Sequence, residues 1–309
     1  MRSVTALLAA LVSVALAGAP AQATFPGSNG GIAYGQYTTS GDLDPQISEH
    51  ARLLVALPPF GSDRQRTLLD CETTAPSGDD CVGNFYRSPS YSRDGRRIVF
   101  DAGGRLAIIS AAGGAPVLLP ATTTDDGDPC FSADGRRIAF TGVNDHGGTD
   151  LYTRRLEGGA AHAVIYDAGE PAWSSRGRLA YVRSGNVYTA RPNGGDRRWV
   201  SSGVSPDWSP NGRRLALVRP SPTLTFDGPT GRMYTVAPTG RDLRRVGRGR
   251  DVSHPVWSPD GRWVAYDGLE LGVYVKRLGS RTAGREIAPT QFSGESGSIS
   301  SFTPAWRPR

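Results

Sequence analysis

The chain has 309 residues, with 35 Lys plus Arg against 29 Asp plus Glu and a formal charge of +6. Lys276 is the only lysine, and neither a basic tail nor an aromatic-studded basic groove is present, so nucleic acid is not an expected partner. His50, His146, His162 and His254 make no His-x-His or His-Glu-x-x-His pair and no Gly-x-Ser-x-Gly elbow occurs, so zinc-protease and serine-hydrolase chemistry lack their local signs.

Residues 1–23 read as a secretory signal. Arg2 precedes an uncharged apolar run from Leu7 to Leu16, too short to span a bilayer, and Ala21-Gln22-Ala23 is a small-x-small cleavage site. The mature chain is expected to start at Thr24 and to be secreted, periplasmic or in the cell envelope. No second hydrophobic run suggests a membrane span, and a monomer is expected. Ser28-Asn29-Gly30-Gly31-Ile32-Ala33-Tyr34 then reads as a turn and a strand, with further strands at Leu53-Leu54-Val55 and Thr67-Leu68-Leu69. Cys71 and Cys81 flank a Gly/Asp/Pro-rich loop that a disulfide would stiffen in an oxidising compartment. Cys130 reads as a packed small residue, but three cysteines leave a Cys81–Cys130 pairing open.

From residue 89 one pattern recurs. Its copies are Pro89-Ser90-Tyr91-Ser92-Arg93-Asp94-Gly95, Pro129-Cys130-Phe131-Ser132-Ala133-Asp134-Gly135, Pro171-Ala172-Trp173-Ser174-Ser175-Arg176-Gly177, Pro206-Asp207-Trp208-Ser209-Pro210-Asn211-Gly212 and Pro255-Val256-Trp257-Ser258-Pro259-Asp260-Gly261. The turn glycines are 40, 42, 35 and 49 residues apart, and a repeat of about 40 residues holding about four strands marks a propeller. Each turn leads into an apolar triplet such as Ile98-Val99-Phe100 or Leu215-Ala216-Leu217, then a third strand such as Leu106-Ala107-Ile108 and a more polar fourth such as Val117-Leu118-Leu119. The chain ends on a lone first strand, Thr303-Pro304-Ala305-Trp306, and begins with a second strand that has no first. The prediction is an all-β, six-bladed propeller over residues 24–309, its ring closed where the C-terminal strand joins the N-terminal blade.

The repeated Pro-x-Trp-Ser-Pro-Asp-Gly pattern resembles the TolB-like propeller family over nearly all of the mature chain. The resemblance implies the fold and a binding role rather than catalysis. TolB carries an α/β domain ahead of its propeller, whereas here the repeats begin almost at Thr24, so TolB's own role does not transfer.

In four-stranded blades, first-to-second turns share one face and second-to-third turns share the other with the inter-blade links. Arginines crowd the first face, among them Arg93, Arg96, Arg97, Arg136, Arg137, Arg176, Arg213, Arg214 and Arg262. Acids crowd the second, and long loops near residues 35–50, 70–87, 219–231 and 288–302 are assigned there. Asp125-Asp126-Gly127-Asp128 and Asn144-Asp145-His146-Gly147 are compatible with Ca²⁺, but neither completes an EF-hand loop; no cofactor is otherwise expected. Ser88, Asp128, Glu170, Ser205, His254 and Thr303 stand just before the repeated prolines, and Asp207 lies two residues beyond its own copy's. Asp128, Glu170, Asp207 and His254 are therefore expected to gather at an acidic channel mouth as a binding site. No catalytic residues are assigned. The expected activity is a non-catalytic scaffold for a protein or peptide partner, a cationic one, at the acidic loop face. The alternative is a metal-assisted lyase or hydrolase acting on a polysaccharide in the channel.

Overall fold

The computed structural model describes residues 24–40, 48–60, 64–72, 85–225, 228–247, 252–268, 272–288, 292–293 and 297–309. They form antiparallel strands, and no helix occurs among them. Three sheets have four strands each and follow the chain. One is Tyr86–Tyr91, Arg97–Ala102, Leu106–Ser110 and Val117–Leu118; the next is Asp126–Phe131, Arg137–Val143, Thr149–Arg155 and His162–Ile165; the third is Gly169–Trp173, Leu179–Arg183, Asn186–Ala190 and Arg198–Ser202. Two further meanders open with Val204–Trp208 and Val252–Trp257 and are joined into one sheet by the pairing of Gly231 with Val252. In the last sheet, the C-terminal strand Gly297–Pro308 pairs with Asn29–Ser40, which leads on to Ser48–Ala56 and Gln65–Glu72.

The expected loops near 35–50, 219–231 and 288–302 are largely strand. Thr38 pairs with His50 and Thr39 with Glu49 beyond the core end of their hairpin, Leu215–Thr225 pairs with Gly228–Val236, and Ser298 pairs with Phe292. Tyr37 and Thr38 supply the aromatic and β-branched character that suits a strand, and backbone pairing satisfies groups a loop would leave to solvent. Most of the loop expected near 70–87 lies outside the described residues.

The repeated turn is held by its own sequence. Ser92 Oγ donates to Asp94 Oδ1 at 2.6 Å, the Arg96 N–H donates to the same oxygen at 3.0 Å, and the Arg97 N–H donates to Ser92 Oγ at 3.0 Å. The same bonds recur around Ser132 and Asp134, around Ser258 and Asp260, and with Asn211 in place of Asp around Ser209. Gly95, with φ of 65°, closes the turn through its N–H to the Ser92 carbonyl at 2.8 Å. Each turn then feeds a second strand whose triplet is buried apart from half-buried Tyr266; Ile98, Val99 and Phe100 are fully so.

Adjacent sheets pack face to face. Phe131, Phe140, Trp173 and Tyr181 share one apolar cluster, and Trp208, Leu217, Trp257 and Val264 share another. The approach of the N-terminal sheet to the next is so close that a Cβ on Gly35 would lie 1.7 Å from the Tyr86 carbonyl oxygen. Arginines of one turn reach carbonyls of the next: Arg307 Nε to Gly95 at 2.8 Å, Arg97 Nη2 to Gly135 at 3.0 Å and Arg176 Nε to Asn211 at 2.8 Å. Part of the arginine-rich face is therefore a set of straps between sheets.

Candidate functional site: the bulged first strands

Six residues adopt left-handed backbone at one repeated place: Ser88, Asp128, Glu170, Ser205, His254 and Thr303, with φ between 46° and 53°. Each precedes a proline, and each sits where the first strand advances three residues against two of the second, as between Arg87↔Asp101 and Ser90↔Val99. These are one-residue β-bulges. Positive φ in a non-glycine residue costs on the order of 1–3 kcal/mol and persists when surrounding contacts over-determine it. Proline suits the bulge because a residue there need not donate to the ladder.

The bulge side chains are turned to their neighbours. Thr303 Oγ1 accepts the Ser88 N–H at 2.9 Å, Ser88 Oγ donates to Asp128 Oδ1 at 3.0 Å, and Glu170 Oε2 accepts the Ser205 N–H at 2.6 Å. Asp128 and Glu170 are both buried, 6% and 8% exposed. Burial lifts the Asp128 carboxyl well above the usual range, the Glu170 and Asp101 charges add to the rise, and the Ser88 hydroxyl and Arg87 oppose it. Burial likewise lifts Asp101 to about 6, against Arg87, whose Nε stands 3.9 Å away, and the Gly104 N–H, which donates to Oδ1 at 2.8 Å. Asp101, Asp128 and Glu170 thus form one buried acidic group, in which Asp101 and Asp128 hold their protons more tightly than usual.

Asp207 and His254 have buried partners of their own. Asp207 lies two residues farther along its strand than Ser205, and its Oδ2 accepts the Thr24 hydroxyl at 2.8 Å and the Trp257 N–H at 2.7 Å. His254 has the bulge backbone, but its Nδ1 is 2.6 Å from Asp267 Oδ2, both side chains being buried. Of the four residues expected to gather, Asp128 and Glu170 act on one another, while Asp207 bonds to Thr24 and Trp257 and His254 to Asp267. Among the described residues, no group of three or more His, Cys, Asp or Glu is arranged to hold a metal ion.

The two acidic loops use their own oxygens. The Asp126 carboxylate accepts from the Thr122 and Thr123 N–H groups and from Thr123 Oγ1, at 2.7, 3.1 and 2.7 Å. Asn144 Oδ1 accepts the His146 and Gly148 N–H groups, and its Nδ2 donates to Asp150. Beside them the Tyr152 hydroxyl is held above its usual range, first by burial and then by Asp150, Asp126 and Asp145. Asp125 and Asp145 are exposed, and the nearby Tyr166 is 64% exposed. This acidic surface with its tyrosines was not legible as a unit, because Asp126, Tyr152 and Tyr166 come from different strands and links. The Asp101-Ala102-Gly103-Gly104 turn was the available signal for Asp101: an Asp followed by glycines favours a side-chain-capped turn.

Cys130 is a free, buried thiol, which removes the Cys81–Cys130 alternative. Cys71 is buried, and Cys81 lies outside the described residues.

No family model matches the sequence. Among solved structures, the chain is similar to TolB from Acinetobacter baumannii at 21% identity and a TM-score of 0.64, over 91% of this chain and 67% of that one. It is similar to a structure assigned to TolB from Agrobacterium tumefaciens at 15% identity and a TM-score of 0.62, over 89% and 99% of the two chains. An oligogalacturonate lyase in complex with manganese aligns at 14% identity and a TM-score of 0.51, over 80% and 74%. With its antiparallel four-stranded sheets and these likenesses, the chain has the TolB-like β-propeller fold.

Proposed function

We propose that this is an exported six-bladed propeller, its ring closed by the strand Gly297–Pro308, that serves as a non-catalytic scaffold for a cationic protein or peptide. Six bulged first strands support the blade count, and the pairing of Ile32 with Trp306 supports the closure. The observation that carries the binding reading is the acidic surface around Tyr152. Asp126, Asp145 and Asp150 act on its hydroxyl, exposed Tyr166 stands beside it, and the buried carboxyls of Asp128 and Glu170 belong to the same and the following first strands. Aromatic side chains beside unneutralised carboxylates suit lysine and arginine side chains through charge and ring-face contact. The scaffold reading calls for no cofactor. It agrees with the likeness to TolB, and it includes removal of residues 1–23 during export and a Cys71–Cys81 disulfide.

The lyase likeness favours the second reading, a metal-assisted lyase or hydrolase acting on a polysaccharide. The described residues do not fit a metal centre, because Asp207 and His254 are turned to Thr24 and Asp267 rather than to Asp128 and Glu170.

The test is capture of partners from the source cell's envelope or culture fluid on immobilised mature protein. The binding rate should fall as salt rises, since screening acts within about 8–10 Å. Asp125→Asn, Asp145→Asn and Tyr166→Ala, combined, should weaken binding while Arg93→Ala and Arg96→Ala leave it unchanged. The opposite result would assign the partner to the arginine face, and a divalent ion retained through dialysis together with polysaccharide cleavage would favour the lyase.

A further inference from the structure

Thr24 and Phe25, the first described residues, are buried, at 2% and 1% exposure. Phe25 lies in the apolar cluster that holds Val99, Phe131 and Trp173. Thr24 meets the first strands of two meanders: its hydroxyl donates to Asp207 Oδ2 at 2.8 Å and approaches the Trp257 carbonyl at 3.2 Å. Three residues on, the Gly27 N–H donates to Pro259 O at 3.3 Å. The first described residues are therefore seated in the fold, touching strands that are far apart in sequence.

Asp207 is the only acid at its place in the repeat; the other copies carry Ser90, Cys130, Ala172, Val256 and Ala305. It is fully buried, and its Oδ1 has no hydrogen-bond partner. Burial lifts it to about 7, opposed by hydrogen bonds from Trp257, Thr24 and Trp208, and no cation contributes. A buried carboxyl with an unanswered oxygen is costly unless a partner arrives. Covalent geometry keeps a threonine α-nitrogen within about 4 Å of its own hydroxyl oxygen, so the Thr24 nitrogen lies within about 7 Å of Asp207 Oδ2.

We infer that export supplies the partner: the α-ammonium of Thr24, freed by signal removal, pairs with the Asp207 carboxylate and locks the N-terminal segment onto the first strands Val204–Trp208 and Val252–Trp257. The inference rests on the proposed cleavage after Ala23. Hydrolysis of the Ala23–Thr24 bond adds the water's hydroxyl to the Ala23 carbonyl and its hydrogen to the Thr24 nitrogen, which takes up a further proton. An amide N–H with one donor becomes an ammonium with three, enough to answer Oδ1. A buried ion pair of this kind makes the seating of Thr24 firmer after processing, since the unprocessed chain has no charge to offer there.

The test compares exported native protein with an exported variant carrying a Gly-Ser insertion before Thr24, so that cleavage leaves Thr24 within a peptide bond. Each is also made with Asp207→Asn. N-terminal peptide mapping fixes the start of each mature chain. The native protein should melt about 5–10 °C above the inserted one, and Asp207→Asn should erase that difference. In the folded native protein the Thr24 amine should resist acetylation at neutral pH at least tenfold relative to the unfolded chain. That measurement decides the matter if Asp207→Asn does not fold. A mature start other than Thr24 overturns the processing reading and the pairing with it. A start at Thr24 with equal melting, or with an amine that reacts at the unfolded rate, overturns the pairing while leaving the processing reading intact.

Discussion

The Glu170 carboxylate accepts the backbone N–H of Ser205 at 2.6 Å, and both residues hold left-handed backbone at corresponding bulges of neighbouring sheets. One side chain thereby fixes its neighbour's strained amide. Replacing Glu170 by Ala leaves that buried N–H unanswered and should cost about 1.5–3 kcal/mol, read from urea unfolding, whereas Glu170→Gln keeps an oxygen acceptor and should cost less than half as much. Equal losses in the two variants would mean that the carboxylate acts through charge rather than through this bond.

Asp101 should give the fold a pH dependence of a defined sign. Its unfolded value is near 3.8 and its folded value about 6, so the native state holds the proton more tightly. Its favourable contribution is full below about pH 4 and is lost as pH rises to about 6, a change on the order of 3 kcal/mol at most. Asp101→Asn keeps an acceptor for the Gly104 N–H and should flatten the stability profile across that window. A profile as steep as the parent's would place the titration elsewhere.

Trp306 is 4% exposed and meets the Phe60 ring edge-on at a centroid distance of 5.9 Å. Trp306→Ala should cost about 3–5 kcal/mol. A chain ending at Ser300 should melt lower still, because it also loses the pairing of Ile32 and Ala33 with Trp306 and Ala305. An unchanged melting curve for the shortened chain would show that this strand is dispensable.

Cys130 is buried and free, with burial raising its thiol far above the ordinary range. It should therefore stay unmodified by alkylating reagents in the native state, while non-reducing peptide maps of exported protein recover Cys71 linked to Cys81. Recovery of Cys71 and Cys81 as free thiols would exclude the proposed link.

The repeat was legible because its parts act locally. Ser, Asp and Gly at fixed offsets build the turn from their own side chains, and the apolar triplets after it mark buried strands whatever the neighbours are. The placement of Asp128 and Glu170 near one another also followed, since equivalent positions in successive repeats fall in successive sheets. The Asp207 contact with Thr24 was not legible, because a shift of two residues along a strand moves a side chain by nearly 7 Å and the partner lies 183 residues away. The contact of His254 with Asp267 was not legible for another reason: Asp267 is in the paired second strand, and sequence spacing does not state which of several nearby acids a ring nitrogen meets. The arginine straps were invisible because they join carbonyls, which carry no sequence signature.

The pairing of Ile32 with Trp306 also sets a timetable. At about 5–20 residues per second, roughly 15–55 s of synthesis separate these two residues. Until the second one emerges, the strand Asn29–Ser40 has an open edge toward its missing neighbour, and such an edge recruits other chains. Folding cannot be completed from the N-terminus as the chain is made; the last strand must arrive before the first sheet is whole. A chain built this way is suited to crossing a membrane before it folds, and its yield should depend on how well that early strand is shielded in transit.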